Sequence, residues 1–236
     1  KDLPRPGHAD YAGFVRYHGC NDYRGGGHFS GRLTAPLVFA GAVAKLALRQ
    51  RGVAVAARIS NVAGIADPTP EEMEKAILAA KADQDSVGGR IRCAVTGLPA
   101  GLGAPDFGCN VEGIFSQYLF AVPAVKAVGF GLGTGFAALR GSQANDAFYM
   151  DGDTVRTRTN HTGGVNGGIT NGMPVEFEVT IRPTPSIARS QDTVDLSAGT
   201  DAKLEITGRH DPCIVPRAVP VIESAAALAT CELLGI

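Results

Sequence analysis

Met173-Pro174-Val175-Glu176-Phe177-Glu178-Val179-Thr180-Ile181-Arg182 alternates without a break: Val175, Phe177, Val179 and Ile181 share one face, while Glu176, Glu178 and Thr180 share the other. A period of two is the signature of a strand with one side in a core and one side wet. Arg90–Thr96 alternates in the same way, and Ala124–Gly131 reads as a further strand. Between and around the strands the period changes. Residues 110–121 read as a helix. Thr69-Pro70-Glu71-Glu72 is a capping box with proline at the first helical position, opening an amphipathic helix that runs to about Ala82. Residues 30–51 are apolar nearly all round, which predicts a buried helix stopped at Arg49-Gln50-Arg51-Gly52. Val221–Leu234, following Pro220, predicts a second buried helix. Strands and helices in mixed order predict the α+β class. No linker or low-complexity segment divides the chain, so residues 1–236 read as a single domain. A glycine-rich or charged loop followed by an alanine-rich helix occurs at Gly25–Leu48 and again at Gly208–Leu234, which suggests two related lobes.

Composition bounds the function. Of the 236 residues, 44% are hydrophobic and 19% charged, as in globular proteins, and the length suffices for a substantial core. A net charge of −1 excludes a strong overall field for nucleic acid. The longest apolar stretch, Ala35–Leu48, is interrupted by Gly41 and Lys45, so no membrane span is expected. The opening Lys-Asp-Leu-Pro-Arg-Pro is no signal peptide, and a cytoplasmic location is expected. Cys20, Cys93, Cys109, Cys213 and Cys231 form no CxxC pair, which suits reduced thiols and no metal site. The chain lacks an initiator Met, and a preceding segment is expected.

Four loops carry ionisable chemistry. In Arg5-Pro6-Gly7-His8-Ala9-Asp10-Tyr11 a histidine sits in a Pro/Gly-rich loop, where its near-neutral pKa suits proton transfer; the same pattern also fits a surface histidine. In Arg24-Gly25-Gly26-Gly27-His28-Phe29-Ser30-Gly31-Arg32 three glycines before a helix expose backbone N–H groups to an anion, with Arg24 and Arg32 flanking; a tight turn with Ser30 as N-cap fits equally. Arg182-Pro183-Thr184-Pro185-Ser186 stiffens a loop that carries a cation and two hydroxyls, or simply terminates a strand. Gly208-Arg209-His210-Asp211-Pro212-Cys213 groups three ionisable residues before the last helix, as a site or as a solvated turn. Two motifs are set aside. Gly129–Gly135 does not fit GxGxxG and reads as a strand end and turn, and the sequon Asn160-His161-Thr162 has no bearing without secretion. Together Arg5, Arg24, Arg32, Arg182 and Arg209 predict a site for a polyanionic ligand, with histidine and aspartate at hand for proton transfer.

The segments RPGHADY (5–11), DYRGGGHFSGRLTAPLVFAG (22–41), VTGLPAGLG (95–103), LRGSQANDAF (139–148), TNHTGGVNGGITNGMP (159–174), RPTPSIA (182–188) and GRHDPCIVPRAVPVIE (208–223) resemble, in order, the signatures of the chorismate synthase family. The resemblance implies a β-α-β sandwich with helices between antiparallel sheets, assembled as a homotetramer. It implies a carbon–oxygen lyase of aromatic amino acid biosynthesis that uses reduced FMN to eliminate phosphate, 1,4-anti, from 5-enolpyruvylshikimate 3-phosphate. By motif, it places His8 beside the substrate phosphate and makes Asp211 the carboxylate that takes the proton from flavin N5. It puts His28, Phe29, Ser30, Pro123, Ala124, Gly167, Arg182, Pro183, Thr184, Pro185, Ser186 and Arg209 at the FMN contacts and Arg32 at the substrate. Whether the flavin is reduced by the protein itself or by an external, NADP-linked flavin reductase stays open. Family members also carry an N-terminal segment with a second catalytic histidine and further arginines. That segment is not in this sequence, and the chain is expected to be a fragment. The competing readings are an inactive flavin- or anion-binding remnant and a flavin oxidoreductase acting on another phosphorylated metabolite.

Overall fold

A computed structural model describes residues 2–208 and 210–236. In chain order the elements are α1 (Asp10–Arg16), α2 (Thr34–Arg49), β1 (Ala54–Val62), β2 (Ile65–Ala66), α3 (Pro70–Ala82), β3 (Gly89–Thr96), α4 (Val111–Phe120), β4 (Val125–Phe130), α5 (Gly141–Ala144), β5 (Phe148–Asp151), β6 (Thr154–Thr157), β7 (Val165–Asn166), β8 (Ile169–Thr170), β9 (Val175–Ile181), β10 (Gln191–Asp195), β11 (Thr200–Leu204) and α6 (Val215–Leu234). Short 3-10 turns lie at Arg24–Phe29, Gly31–Leu33 and Gly133–Ala138.

The alternating stretch is β9, set between β3 and β4 in a five-stranded sheet of order β2-β1-β3-β9-β4. Its neighbours in that sheet are antiparallel, and the register pairs Val179 with Ile91, Phe177 with Cys93 and Val175 with Val95, so every apolar partner falls on the same face. Val175, Phe177, Val179 and Ile181 are at most 1% exposed. The opposite face is polar: Glu178 accepts from Arg90 at 2.8 Å and from the Ser60 hydroxyl at 2.6 Å.

On the apolar face α6 lies between α2 and α4 and packs on β1 and β3. Ala225, Ala226, Ala227 and Ala229 are completely buried, which lets the neighbouring backbones approach closely. Edge-to-face contacts of Phe115 with Phe130 and Phe177 (centroids 6.4 and 5.7 Å apart) lock α4 to β4 and β9. The α+β class therefore holds. Among the described residues one sheet with a helical layer on one side accounts for the core, and the remaining strands form three two-stranded hairpins.

Two helix expectations need correction. The last helix begins at Val215 rather than after Pro220, with Pro220 inside it. The lost N–H of Pro220 removes one backbone bond, while its carbonyl accepts from the Ser224 hydroxyl at 2.7 Å. The helix predicted over 30–51 spans Thr34–Arg49 and is not buried all round: Phe39, Val43 and Leu46 are 76, 55 and 60% exposed. Together with the preceding turn, Gly31–Arg49 is long and apolar enough by composition to cross a bilayer, contrary to the reading of the broken run. Its inner side is nonetheless built for a protein neighbour. Lys45 pairs with Glu223 of α6 at 2.7 Å, and the other oxygen of Glu223 caps the Ala57 N–H of β1 at 2.9 Å.

Gly41 is where α2 and α6 meet. A Cβ there would sit 2.2 Å from the Ser224 Cβ and 2.5 Å from its Cα. Alanine at position 41 would gain about 1 kcal/mol of helix propensity. It would also force the helices apart, at a cost of about 1–3 kcal/mol for overpacking. Gly41→Ser, which carries the same Cβ plus a hydroxyl, is expected to lower the midpoint of urea unfolding more than Gly41→Ala, and Gly41→Ala to lower it below the parent.

Candidate active site

The Arg182–Ser186 loop begins where β9 ends, and four sequence-distant segments converge on it. Arg182 N–H donates to the Ala124 carbonyl at 3.0 Å, fixing the loop to the turn between α4 and β4. The Arg182 guanidinium donates to the Gly7 carbonyl, and Arg5 Nη1 donates to Ser186 Oγ at 3.0 Å, so both ends of the loop hold the His8 segment. Thr184 Oγ1 donates to the Asp211 carbonyl at 3.0 Å, and the Thr184 carbonyl accepts from Ser86 Oγ at 2.7 Å. The prolines at 183 and 185 stiffen a loop whose hydroxyls and cation are already committed to bracing.

His8 is the best-held side chain of the group, 13% exposed. Its Nδ1 lies 2.6 Å from Asp10 Oδ1. Arg5 grips the same carboxylate with Nε at 2.7 Å and Nη2 at 2.8 Å, and its own backbone N–H adds a third donor at 3.0 Å. Burial alone would push the Asp10 carboxyl up; the hydrogen bonds from Arg5 and His8 outweigh it and hold the group well below the usual carboxylate range. The far side of the imidazole faces the glycine loop. A Cβ on Gly26 would stand 3.7 Å from His8 Nε2, and the Phe29 ring meets His8 edge-on, with centroids 6.5 Å apart. Phe29 in turn lies against Gly13 of α1, where a Cβ would come within 2.7 Å of the ring.

Gly25, Gly26 and Gly27 all have positive φ (58, 91 and 51°), a run no other residue adopts at ease, and a Cβ on Gly27 would collide with the Asp22 carbonyl at 2.2 Å. The loop borders an open cavity of about 370 Å³ lined by Asp22, Arg24, Gly25, Gly27, His28, Ser30, Arg32 and Leu33. Arg24 is forked onto Asp22 at 2.9 and 3.2 Å, and Arg32 Nη1 donates to the Gly25 carbonyl at 3.0 Å. Ser30 does act as an N-cap, its Oγ accepting from Arg32 N–H at 3.2 Å. It caps the 3-10 turn Gly31–Leu33 and not α2, which starts only at Thr34. The turn runs without a break into α2, so the N-terminus of one continuous helical stretch, Gly31–Arg49, follows the glycine loop.

The remaining expected site residues lie around the Arg182–Ser186 loop or beyond it. Asp211 is half-exposed and paired through Oδ2 with Arg217 Nη1 at 2.7 Å, a partner in the first turn of α6 that the sequence reading did not select. Pro123 and Ala124 form the turn after α4, with Ala124 at φ 74°. Gly167 is in the β7–β8 turn, whose Gly168 carbonyl accepts from Val111 N–H at the start of α4. Gly167 and Ala124 are thus at opposite ends of a ten-residue helix, about 15 Å apart at 1.5 Å per residue. Arg209 lies outside the described residues. The set-aside glycine run is a strand end and turn as expected, β4 closing at Phe130 and a 3-10 turn following at Gly133.

The model of the family described as chorismate synthase matches residues 1–234. A chorismate synthase from Thermococcus gammatolerans is 45% identical over 96% of this chain and 69% of its own length. The chain belongs to the chorismate synthase family. Chorismate synthases of Dehalococcoides mccartyi and Chitinophaga pinensis agree, at 43 and 44% identity over 97 and 99% of the chain and 69 and 68% of theirs. A crystal structure of chorismate synthase superposes with a TM-score of 0.76 over 96% of this chain and 70% of that one; at 24% identity it speaks to the fold alone. The family is a lyase family of the shikimate pathway, and the converging loops around His8 are where its chemistry is sought in this chain.

Proposed function

We propose that this protein is a cytoplasmic lyase that forms chorismate from 5-enolpyruvylshikimate 3-phosphate by 1,4-anti elimination of phosphate, with reduced FMN bound. The observation that carries the reading is the convergence on the Arg182–Ser186 loop: it braces the His8 segment at both ends and the Asp211 backbone in the middle. The residues present fit a phosphorylated, polyanionic cofactor. The Gly25–Gly27 cradle has no side chains to fill it, and the adjoining cavity is rimmed by Arg24, His28 and Arg32. His28, Phe29 and Ser30 would hold the flavin from the glycine loop, with Arg182 to Ser186, Pro123 and Ala124 from the sheet side and Arg209 from the last loop. Gly167, at the far end of α4, belongs to the set by the family resemblance alone.

When bound, reduced flavin supplies transient electron density that eases the departure of phosphate and takes it back as the C6 proton leaves. The protein's part is position, charge and protons. Arg32 holds the substrate anion. His8 presents Nε2 toward the glycine loop and, as the imidazolium whose Nδ1–H is held by Asp10, donates the Nε2 proton to the departing phosphate. Asp211 has Oδ2 occupied by Arg217, so Oδ1, which has no partner among the described residues, accepts the proton released on the other side. The exposed apolar side of α2 favours assembly, and a homotetramer is the form the family resemblance supports.

The test is anaerobic incubation of the intact protein with 5-enolpyruvylshikimate 3-phosphate and reduced FMN. Chorismate and phosphate are expected in equal amounts, with no net oxidation of the flavin. Flavin binding without product would favour the non-catalytic remnant, and net flavin oxidation would favour an oxidoreductase.

A further inference from the structure

The carboxylate of Asp10 has a task that the loop motif does not disclose. It stands between two cationic or ionisable neighbours, and the distances decide who bonds to whom. Arg5 Nη2 is 3.1 Å from His8 Nδ1 and 2.8 Å from Asp10 Oδ1, while His8 Nδ1 is 2.6 Å from that same oxygen. A guanidinium nitrogen only donates, and an ionised carboxylate only accepts. The Arg5–His8 contact would need an unprotonated Nδ1, and the Asp10–His8 contact needs a protonated one. The second is shorter by half an ångström, and three donors of Arg5 keep Asp10 ionised. Nδ1 therefore keeps its proton throughout, and Nε2, the nitrogen turned to the glycine loop, is the one that takes up and gives away the second.

We infer that Asp10, held by Arg5, is a positioning residue: it sets the tautomer and ring orientation of His8 so that Nε2 faces the ligand site. The inference rests on the proposed role of His8 for its consequence in turnover, but not for its geometry. Arg5 also reaches Ser186 Oγ, so the same guanidinium ties the orientation of His8 to the loop proposed to hold the flavin. A merely structural Asp10 would anchor the start of α1 and nothing more.

Asp10→Asn gives an unusually sharp test. Oδ2 of Asp10 receives both Arg5 N–H and Arg5 Nε, so the amide oxygen of asparagine is drawn to that position and its NH₂ is left at Oδ1, aimed at His8 Nδ1. That NH₂ can only donate, so the proton must leave Nδ1 and move to Nε2. Long-range ¹⁵N–¹H correlation of the histidine rings reads this directly. With the ring neutral, the parent protein is expected to show the Nδ1–H tautomer of His8, free to take up and give a proton at Nε2, and Asp10→Asn the Nε2–H tautomer, which could give its proton only by leaving an imidazolate. In turnover, Asp10→Asn is expected to lower kcat about 10–100-fold with KM changed less than about threefold, and Asp10→Glu, which keeps the charge, to recover part of the loss. An Nε2–H tautomer in the parent would overturn the inference without any variant, whatever the folding of Asp10→Asn. An unmoved tautomer in a folded Asp10→Asn would do the same. If the tautomer inverts as expected while His8→Ala turns over normally, the positioning stands and the proposed role of His8 falls.

Discussion

Alanine at position 8 is expected to lower turnover by about 10²–10⁴-fold, the range for removal of a group that moves a proton in the transition state. The geometry makes the loss hard to recover. His8 is only 13% exposed, so water has little access to its place, and no second imidazole is among its recorded partners. Phe29 should keep its seat against Gly13, so flavin affinity in His8→Ala is expected to stay near that of the parent. Asp211→Asn should cost turnover to a similar extent, because it keeps the shape and loses only proton acceptance. The Thr184–Asp211 tie is through the backbone carbonyl, which asparagine retains, so the loop should stay braced. Stopped-flow measurement of chorismate formation at saturating reduced FMN checks both. Near-normal turnover in either variant would remove that residue from the proton path, and a parallel collapse of flavin binding would show that the site, not the chemistry, had been lost.

How far such a site can be read in advance depends on what kind of signal each residue leaves. β9 is legible because Val175, Phe177, Val179 and Ile181 are large and their partners are charged, so one period dominates. β1 carries the same period, with Val55, Ala57 and Ile59 turned inward and Ala54, Ala56 and Arg58 outward, but alanine on both faces blurs the contrast, and it is absent from the predicted strands. The capping box at Thr69 is local chemistry, and both its bonds are present, at 2.9 and 3.2 Å. Pro220 misleads for the converse reason: a local breaker signal is overridden by tertiary packing that buries Val215, Val221 and Ile222 on either side of it. The site divides in the same way. That His8, Phe29 and the 182–186 loop belong together is readable once the motifs are taken as a set. That Arg5 serves Ser186 and that Arg182 is spent on Gly7 are contacts 181 and 175 residues apart in sequence, with no local trace, while Arg5–Asp10 and Arg217–Asp211, five and six residues apart, follow no helical spacing and form only as the loops fold. Of the five arginines assigned to an anion, three are engaged by backbone or hydroxyl acceptors of the scaffold and one, Arg24, by Asp22.

Asp146 is a polar residue whose loss should damage the fold severely. Its side chain is 4% exposed. Oδ1 accepts from Thr159 Oγ1 at 2.6 Å and His161 N–H at 2.7 Å; Oδ2 accepts from Thr162 N–H at 2.9 Å and Thr162 Oγ1 at 2.8 Å. One carboxylate thus joins the entry of the β5–β6 hairpin to the loop that leaves it. That loop continues into the core: the Gly163 carbonyl accepts from Glu176 N–H at 3.1 Å, and a Cβ on Gly163 would stand 2.4 Å from the Glu176 carbonyl and from Gly131 N. Asp146→Ala leaves two backbone donors and two hydroxyls facing an empty pocket. The expected cost is about 3 kcal/mol, the scale of a buried group losing charged hydrogen bonds. For a chain of this size that is a fall of about 6–12 °C in Tm. Asparagine should rescue little, because whichever oxygen position its NH₂ takes, it meets a backbone N–H. The pH dependence separates the carboxylate from mere packing. Burial works to raise the Asp146 pKa, but the bonds from Thr159, Thr162 and His161 prevail and bring it from 3.8 to about 2. Its folded pKa is depressed, so the unfolded chain takes up the proton first. The stabilisation is complete above the unfolded value and is lost as pH falls through the folded one. The stability gap between parent and Asp146→Ala should therefore be flat from neutral pH to about pH 5 and narrow by about 2 kcal/mol on the way to pH 2. Urea unfolding across that range measures it: a gap that stayed constant to pH 2 would mean that the Thr159–Thr162 loop is held by packing and not by the charge of Asp146.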